Sequence, residues 1–158
     1  MNDEHDTPNN AGVIAPPPLI YGGALGAGLL VKALFPATFL PRGATRTLGV
    51  PLTGAGLLLF ISSLHALRRA ETDVRPYKPT TSIVTKGPYR FTRNPIYLGF
   101  TLVYGGITAL ANSPWNALLL PFVLTVMQHG VIQREERYLE RVFGEEYLQY
   151  KARVRRWI

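Results

Sequence analysis

The sequence predicts an all-α integral membrane bundle of about four transmembrane helices, with further helices lying at the cytoplasmic interface towards the C-terminus. Hydrophobic residues make up 47% of the 158-residue chain and charged residues only 17%, and the charges sit in blocks between long uncharged stretches. Fourteen of the 17 Lys and Arg residues fall in two of those blocks, between Arg68 and Arg93 and between Arg134 and Arg156. A soluble helical bundle would instead carry polar stripes at helical spacing, and these hydrophobic segments hardly do. At this length one domain is expected, with no second core.

The net charge of +7 would by itself admit either nucleic acid or anionic lipid as a partner. Its segregation beside apolar stretches favours the lipid bilayer and no nucleic acid. The chain has no cysteine, which excludes disulfides, thiolate metal sites and a cysteine nucleophile. His5, His65 and His129 lack zinc-binding spacing, so no metal is expected.

Residues 1–18 are polar, acidic and rich in Pro and Asn, without the basic start of a signal peptide, and read as a disordered tail. A single domain is expected over 19–158. Four apolar segments follow the tail: about Leu19–Phe35, Leu48–Leu67, Ile96–Ala111 and Trp115–Ile132. A spanning helix needs roughly 20 residues, with about 17 as a minimum, so the second and fourth segments are adequate and the first and third marginal. Lys32 near the end of the first could snorkel to the interface. Only Asn112-Ser113-Pro114 separates the last two, which predicts a tight helical hairpin. With four spans both basic blocks lie on one side, which the positive-inside rule makes cytoplasmic, together with both termini. A bacterial inner membrane is the expected location.

Beyond Ile132, Tyr138, Leu139, Val142 and Phe143 recur at helical spacing, and Gly144 is placed to end that helix. Glu145–Trp157 resembles a second interfacial helix, with Tyr147, Leu148, Tyr150 and Trp157 as anchors near headgroup depth.

Two clusters could carry chemistry. The first runs from Gly87-Pro88-Tyr89-Arg90 through Arg93-Asn94-Pro95-Ile96-Tyr97-Leu98-Gly99. Asn94 followed by Pro95 matches a helix start, with Asn as N-cap and Pro at the first helical position. The free N–H groups and positive dipole end of that helix favour an anionic group, and Arg93 adds to the effect. Tyr89 and Tyr97 supply flat surfaces for stacking on a ring. The second cluster begins at Arg134-Glu135-Glu136. Acidic residues near a bilayer are costly unless paired or functional. At seven residues' separation Gln128 shares a helix face with Glu135, and His129 with Glu136. A polar wall of Gln128, His129, Glu135 and Glu136 is therefore expected, suited to ammonium or hydroxyl groups. The plain alternative is an exposed helix whose glutamates pair with Arg134, Arg137 or Arg141. Gly105-Gly106 allows another helix, or a ligand, to approach closely.

These two runs, in this order and with a helical hairpin between them, resemble the isoprenylcysteine carboxyl methyltransferase and phospholipid methyltransferase superfamily. The resemblance covers about Lys78–Ile158 and adds Leu139, Phe143-Gly144, Tyr147, Tyr150, Val154 and Arg156 to the shared pattern. It implies a small integral membrane enzyme that uses S-adenosylmethionine and methylates a lipid-like or small apolar acceptor at a carboxylate, amine or thiol. Carried over by position, Arg93, Asn94, Pro95 and Tyr97 fill the superfamily's Arg-His-Pro-x-Tyr slot, and Glu135 and Glu136 its paired-glutamate slot. Asn94 stands where eukaryotic members have histidine; it can hydrogen-bond but cannot titrate. The implied cofactor-binding set is Tyr89, Arg93, Asn94, Tyr97, Gln128, His129, Glu135 and Glu136, with Glu136 or His129 as a candidate base for an amine acceptor. Two alternatives stand beside it. One is a nicotinamide-dependent sterol or steroid reductase of the same superfamily, which the Glu-Glu pair and short chain disfavour. The other is a non-enzymatic membrane protein retaining the fold.

Overall fold

Six α-helices make up the architecture, in a computed structural model that describes residues 11–70 and 82–158. They are α1 (Pro17–Leu34), α2 (Arg42–Arg69), α3 (Pro95–Ala111), α4 (Pro114–Met127), α5 (Gln133–Phe143) and α6 (Glu145–Arg153). A single 3-10 turn, Gly87–Arg90, precedes α3. Helices α4 and α5 are one continuous rod joined through a π-helical turn at Gln128–Ile132. Among the described residues three helices are long and apolar enough to cross a membrane: Pro17–Leu34, Gly43–Arg69 and the rod Pro114–Phe143. The fourth apolar helix, α3, has 17 residues and falls just short of that length. The all-α membrane bundle is as the charge segregation predicts.

Local chemistry explains the boundaries. Proline stands in the first turn of α1, α3 and α4, where a missing N–H costs nothing and φ is already helical. The hairpin turn forms because Asn112 adopts the left-handed conformation (φ 49°) and Ser113 Oγ accepts the Asn116 N–H at 3.4 Å. The Asn112 side chain then receives the Phe39 and Leu40 N–H groups at 2.9 and 2.8 Å, tying the loop after α1 to the hairpin. Lys32, rather than snorkelling freely, donates to the Asn112 carbonyl at 3.3 Å.

Packing runs in two pairs, one of consecutive helices and one of the first with the fourth. Helix α3 packs mainly on α2, and α4 mainly on α1. The α2–α3 contact is so close that a Cβ on Gly106 would lie 2.6 Å from the Thr53 nitrogen, and one on Gly56 would lie 2.7 Å from the Gly99 carbonyl oxygen. Gly106 thus fulfils the close-approach expectation, whereas Gly105 meets nothing within 4 Å. The main core joins the sheets of side chains between these pairs, with Tyr21, Tyr97, Tyr104, Met127, Val131 and Ile132 at its centre.

Three expectations need correction. The tail expected over 1–18 is packed from Ala11 onward: the Ile14 N–H donates to the Gly130 carbonyl at 3.1 Å, and Arg134 Nη1 donates to the Gly12 carbonyl at 2.8 Å. Val13 adds apolar contact with the core, a local gain that the polar average of the segment conceals. Residues 1–10 lie outside the described residues, as do Arg75 and Lys78 of the basic loop. Second, the helix expected over Glu145–Trp157 ends at Arg153; Val154 is extended (φ −121°, ψ 129°) and Arg155 bridges to Thr92 in parallel register. Third, Tyr147 and Tyr150 are core residues, 2% and 5% exposed, not headgroup anchors. Their rings pack edge to face and Tyr150 donates to the Tyr89 carbonyl at 2.7 Å.

Candidate active site

The extended segment after α6 completes a site at the start of α3. The Arg93 N–H donates to the Arg155 carbonyl at 2.9 Å, while Thr92 Oγ1 and Asn94 Nδ2 both donate to the Arg156 carbonyl, at 3.0 and 2.9 Å. Asn94 therefore occupies the N-cap position of α3 without capping it, because its side chain is engaged across the chain. The expected cap bond is replaced by a tertiary one.

Glu136 is the electrostatic centre. Its carboxylate accepts a fork from Arg156, Nε to Oε1 at 2.9 Å and Nη2 to Oε2 at 2.7 Å. Arg93 Nη1 stands 3.2 Å from the same Oε1 on the other side, and the Arg93 and Glu136 side chains are only 8% and 7% exposed. Two cations thus share one carboxylate, Arg93 buried with it and Arg156 about a third exposed, so that losing either arginine leaves Glu136 paired with the other. Among the described residues Arg93 Nε and Nη1 have no hydrogen-bond acceptor in good geometry. Glu135, one residue on, accepts the Tyr97 hydroxyl on Oε1 at 2.5 Å and has a second oxygen to offer. With both carboxyl groups charged, Arg93, Arg156, Glu135 and Glu136 sum to zero. A zwitterionic ligand could therefore enter without leaving net charge behind.

The neighbouring phenols are donors here, not bases. Burial pushes the Tyr147 hydroxyl up to about 12, helped by the Glu136 charge and opposed by Arg93. Burial likewise raises Tyr150, with Tyr147 adding to it, and raises Tyr89, with Tyr150 adding to it. The bond to Glu136 holds the Arg156 guanidinium above its usual range.

The other expected site residues separate from this cluster. Tyr97 is 9% exposed and packed in the core, so its ring presents no free face for stacking. Tyr89 is partly buried beside Tyr150. Gln128 accepts the Trp157 indole N–H at 3.2 Å, and His129 is exposed, with Nδ1 3.1 Å from Gln133 Oε1. Both line an open groove of about 400 Å³ with Thr101, Leu124, Thr125 and Trp157. His129 and Glu136 do not share a face as their spacing suggested. The π turn between them shifts the helical phase, since its i→i+5 bonds insert an extra residue into the turn. The structure so joins Arg93, Asn94, Tyr97, Glu135 and Glu136, and leaves Gln128 and His129 to the groove.

Sequence reasoning missed the structural weight of Arg156, Thr92 and Trp157. Arg153 to Arg156 reads as one more basic block at an interface. The available signal was the need of Glu136, beside a hydrophobic helix, for a cation; Val154-Arg155-Arg156-Trp157 itself carries no period-2 alternation.

An all-α membrane bundle with an Arg–Glu–Arg cluster, buried at Arg93 and Glu136, where a C-terminal extended segment meets a helix N-terminus defines the class structurally. The chain belongs to the family described as phospholipid methyltransferase, whose model matches residues 44–146. It is 33% identical over 72 residues to protein-S-isoprenylcysteine O-methyltransferase B of Arabidopsis thaliana, covering 46% of this chain and 36% of that one. It is 41% identical over 66 residues to methanethiol S-methyltransferase 1 of Bradyrhizobium diazoefficiens, covering 42% of this chain and 22% of that one. An uncharacterized protein of Haemophilus influenzae is 43% identical over 63 residues, 40% of this chain and 89% of its own length. The matched stretch thus spans about a third or less of the two methyltransferases. No solved structure matches the chain.

Proposed function

We propose that the protein is an S-adenosylmethionine-dependent membrane methyltransferase acting on a lipid-like or small apolar acceptor. The observation that carries this reading is the buried Arg93 guanidinium just before α3, whose Nε lacks an acceptor among the described residues and whose ion-pair partner Glu136 is preceded in the chain by Glu135, held by Tyr97 of α3. An amino-acid moiety fits that arrangement. Its carboxylate would face Arg93 and the helix N-terminus, and its ammonium would face the open oxygen of Glu135. Glu136 is less suited to contact it, because both its oxygens are already engaged. The bound donor supplies an activated methyl group on a sulfonium leaving group. The protein's own part is then to align donor and acceptor and to exclude water. Tyr97 fixes the Glu135 carboxylate, and the segment from Val154 to Trp157 covers the start of α3.

Relatives named for isoprenylcysteine and for methanethiol methylation support the reaction type and leave O or S as the receiving atom. Calorimetric titration of S-adenosylmethionine into the detergent-purified protein tests the proposal, with a reduced nicotinamide dinucleotide phosphate as control. Micromolar donor binding is expected. Binding of the nicotinamide cofactor alone would move the assignment to a reductase, and binding of neither would leave a non-enzymatic membrane protein.

A further inference from the structure

The groove between α3 and α4 carries no ionised carboxylate, Lys or Arg among its lining residues. Its two threonines are turned to their own helices: Thr101 Oγ1 donates to the Tyr97 carbonyl and Thr125 Oγ1 to the Pro121 carbonyl, each at 2.8 Å. Of its two other polar lining side chains, Gln128 is taken up by the Trp157 indole and His129 pairs with Gln133, so the threonine methyls, Leu124 and the Trp157 ring form a surface suited to hydrocarbon. Thr101 is bonded to Tyr97, and Tyr97 to Glu135, which places the groove one helical turn from the charged cluster.

Trp157 is held as a fixed wall of this groove. Gln128 accepts its indole N–H at 3.2 Å, and the carbonyl of the preceding Arg156 takes two hydrogen bonds from Thr92 and Asn94. The Arg156 fork on Glu136 fixes the backbone from the other side. We propose that Trp157 sets the size of the hydrocarbon group an acceptor can bring into the groove, and that Glu136, acting through Arg156, positions Trp157 for this. That the hydrocarbon belongs to a methyl acceptor rests on the methyltransferase reading. Glu136 is then a positioning residue rather than a donor ligand, and loosening it widens the groove.

The chain has two tryptophans, so a Trp115→Phe background leaves Trp157 as its sole tryptophan, excited selectively over tyrosine at the red edge of the band. In nanodiscs of saturated phosphatidylcholine, a linear bromoalkanol and a bromoadamantane serve as quenchers of different bulk. The linear chain should quench Trp157 saturably and the adamantyl cage only in proportion to its concentration. Glu136→Gln, or Arg156→Lys if that variant fails to fold, should make cage quenching saturable, with apparent affinity rising about tenfold. A purely structural role for Glu136 would lower stability without changing the ratio between the two quenchers. Equal quenching by both in the parent, or an unchanged ratio in both variants, overturns the proposal. Donor titration on the same samples separates the failures: donor binding with an unchanged ratio sinks only the groove assignment, whereas absent donor binding sinks the acceptor assignment together with the function.

Discussion

At the scale of single residues, the site is organised by one carboxylate serving two guanidinium groups. Arg156→Ala removes a charged hydrogen-bond fork from a partly exposed arginine but leaves Glu136 paired with Arg93, so stability should fall by about 1.5–3 kcal/mol, read as a drop in the denaturation midpoint of the detergent-solubilised protein. Arg93→Lys keeps the charge facing Glu136 but loses the planar fork and its unpartnered N–H groups. Its expected effect is selective: donor affinity falls roughly 10- to 100-fold, corresponding to a charged hydrogen bond of about 1.5–3 kcal/mol, while the midpoint moves little. Glu135→Gln should weaken donor binding in the same calorimetric assay, since a neutral amide cannot balance an ammonium. Unchanged affinity in both variants would remove the donor from this cluster.

Among the elements, the π turn at Gln128–Ile132 governs which side chains meet. Deleting Val131 would restore α-helical phase and rotate everything beyond it by about 100°, carrying Glu135 and Glu136 away from Tyr97 and Arg93. Helical content measured by circular dichroism should persist while donor binding is lost. The same turn marks where the sequence stopped being legible. The four apolar segments, the Asn94-Pro95 helix start and the Gly144 break all follow from local rules, and the helices keep those places to within a few residues. Such rules assume constant helical phase, so they put His129 beside Glu136 and missed the shift. They are also blind to tertiary partners. Nothing local reveals that Asn94 bonds across to Arg156 instead of capping its own helix, or that Tyr147 and Tyr150 turn into a core of their own. Glu135 and Arg93 were legible because charge next to a hydrophobic helix needs a reason that composition alone supplies.

For the whole molecule, the distribution of charge predicts the orientation. The basic blocks, α5 and α6 should face the cytoplasm, and the loop between α1 and α2 the opposite side. The absence of native cysteine makes this directly testable. Thr38→Cys, in the exposed loop after α1, should react with an impermeant maleimide in intact cells. Ala152→Cys, exposed on α6, should react only after permeabilisation. The reverse pattern would invert the orientation and put the charged site on the outer face. Close helix packing belongs to this scale too. Gly56→Leu drives a side chain into the Gly99 carbonyl, and overpacking of that kind costs about 1–3 kcal/mol.

The clasp between Thr92–Asn94 and Arg155–Arg156 has a bearing on biosynthesis. Thr92 and the Arg156 carbonyl are 64 residues apart in the chain, so the start of α3 emerges well before its cover exists. At about 5–20 residues per second, roughly 3–13 s of translation separate the two. During that interval the Arg93 N–H and the Asn94 side chain lack their acceptors, and Glu136, once made, still waits for Arg156. A nascent chain stalled before Arg155 would therefore hold its helices in the bilayer with an open, charged edge, a form that a quality-control protease could tell from the finished protein.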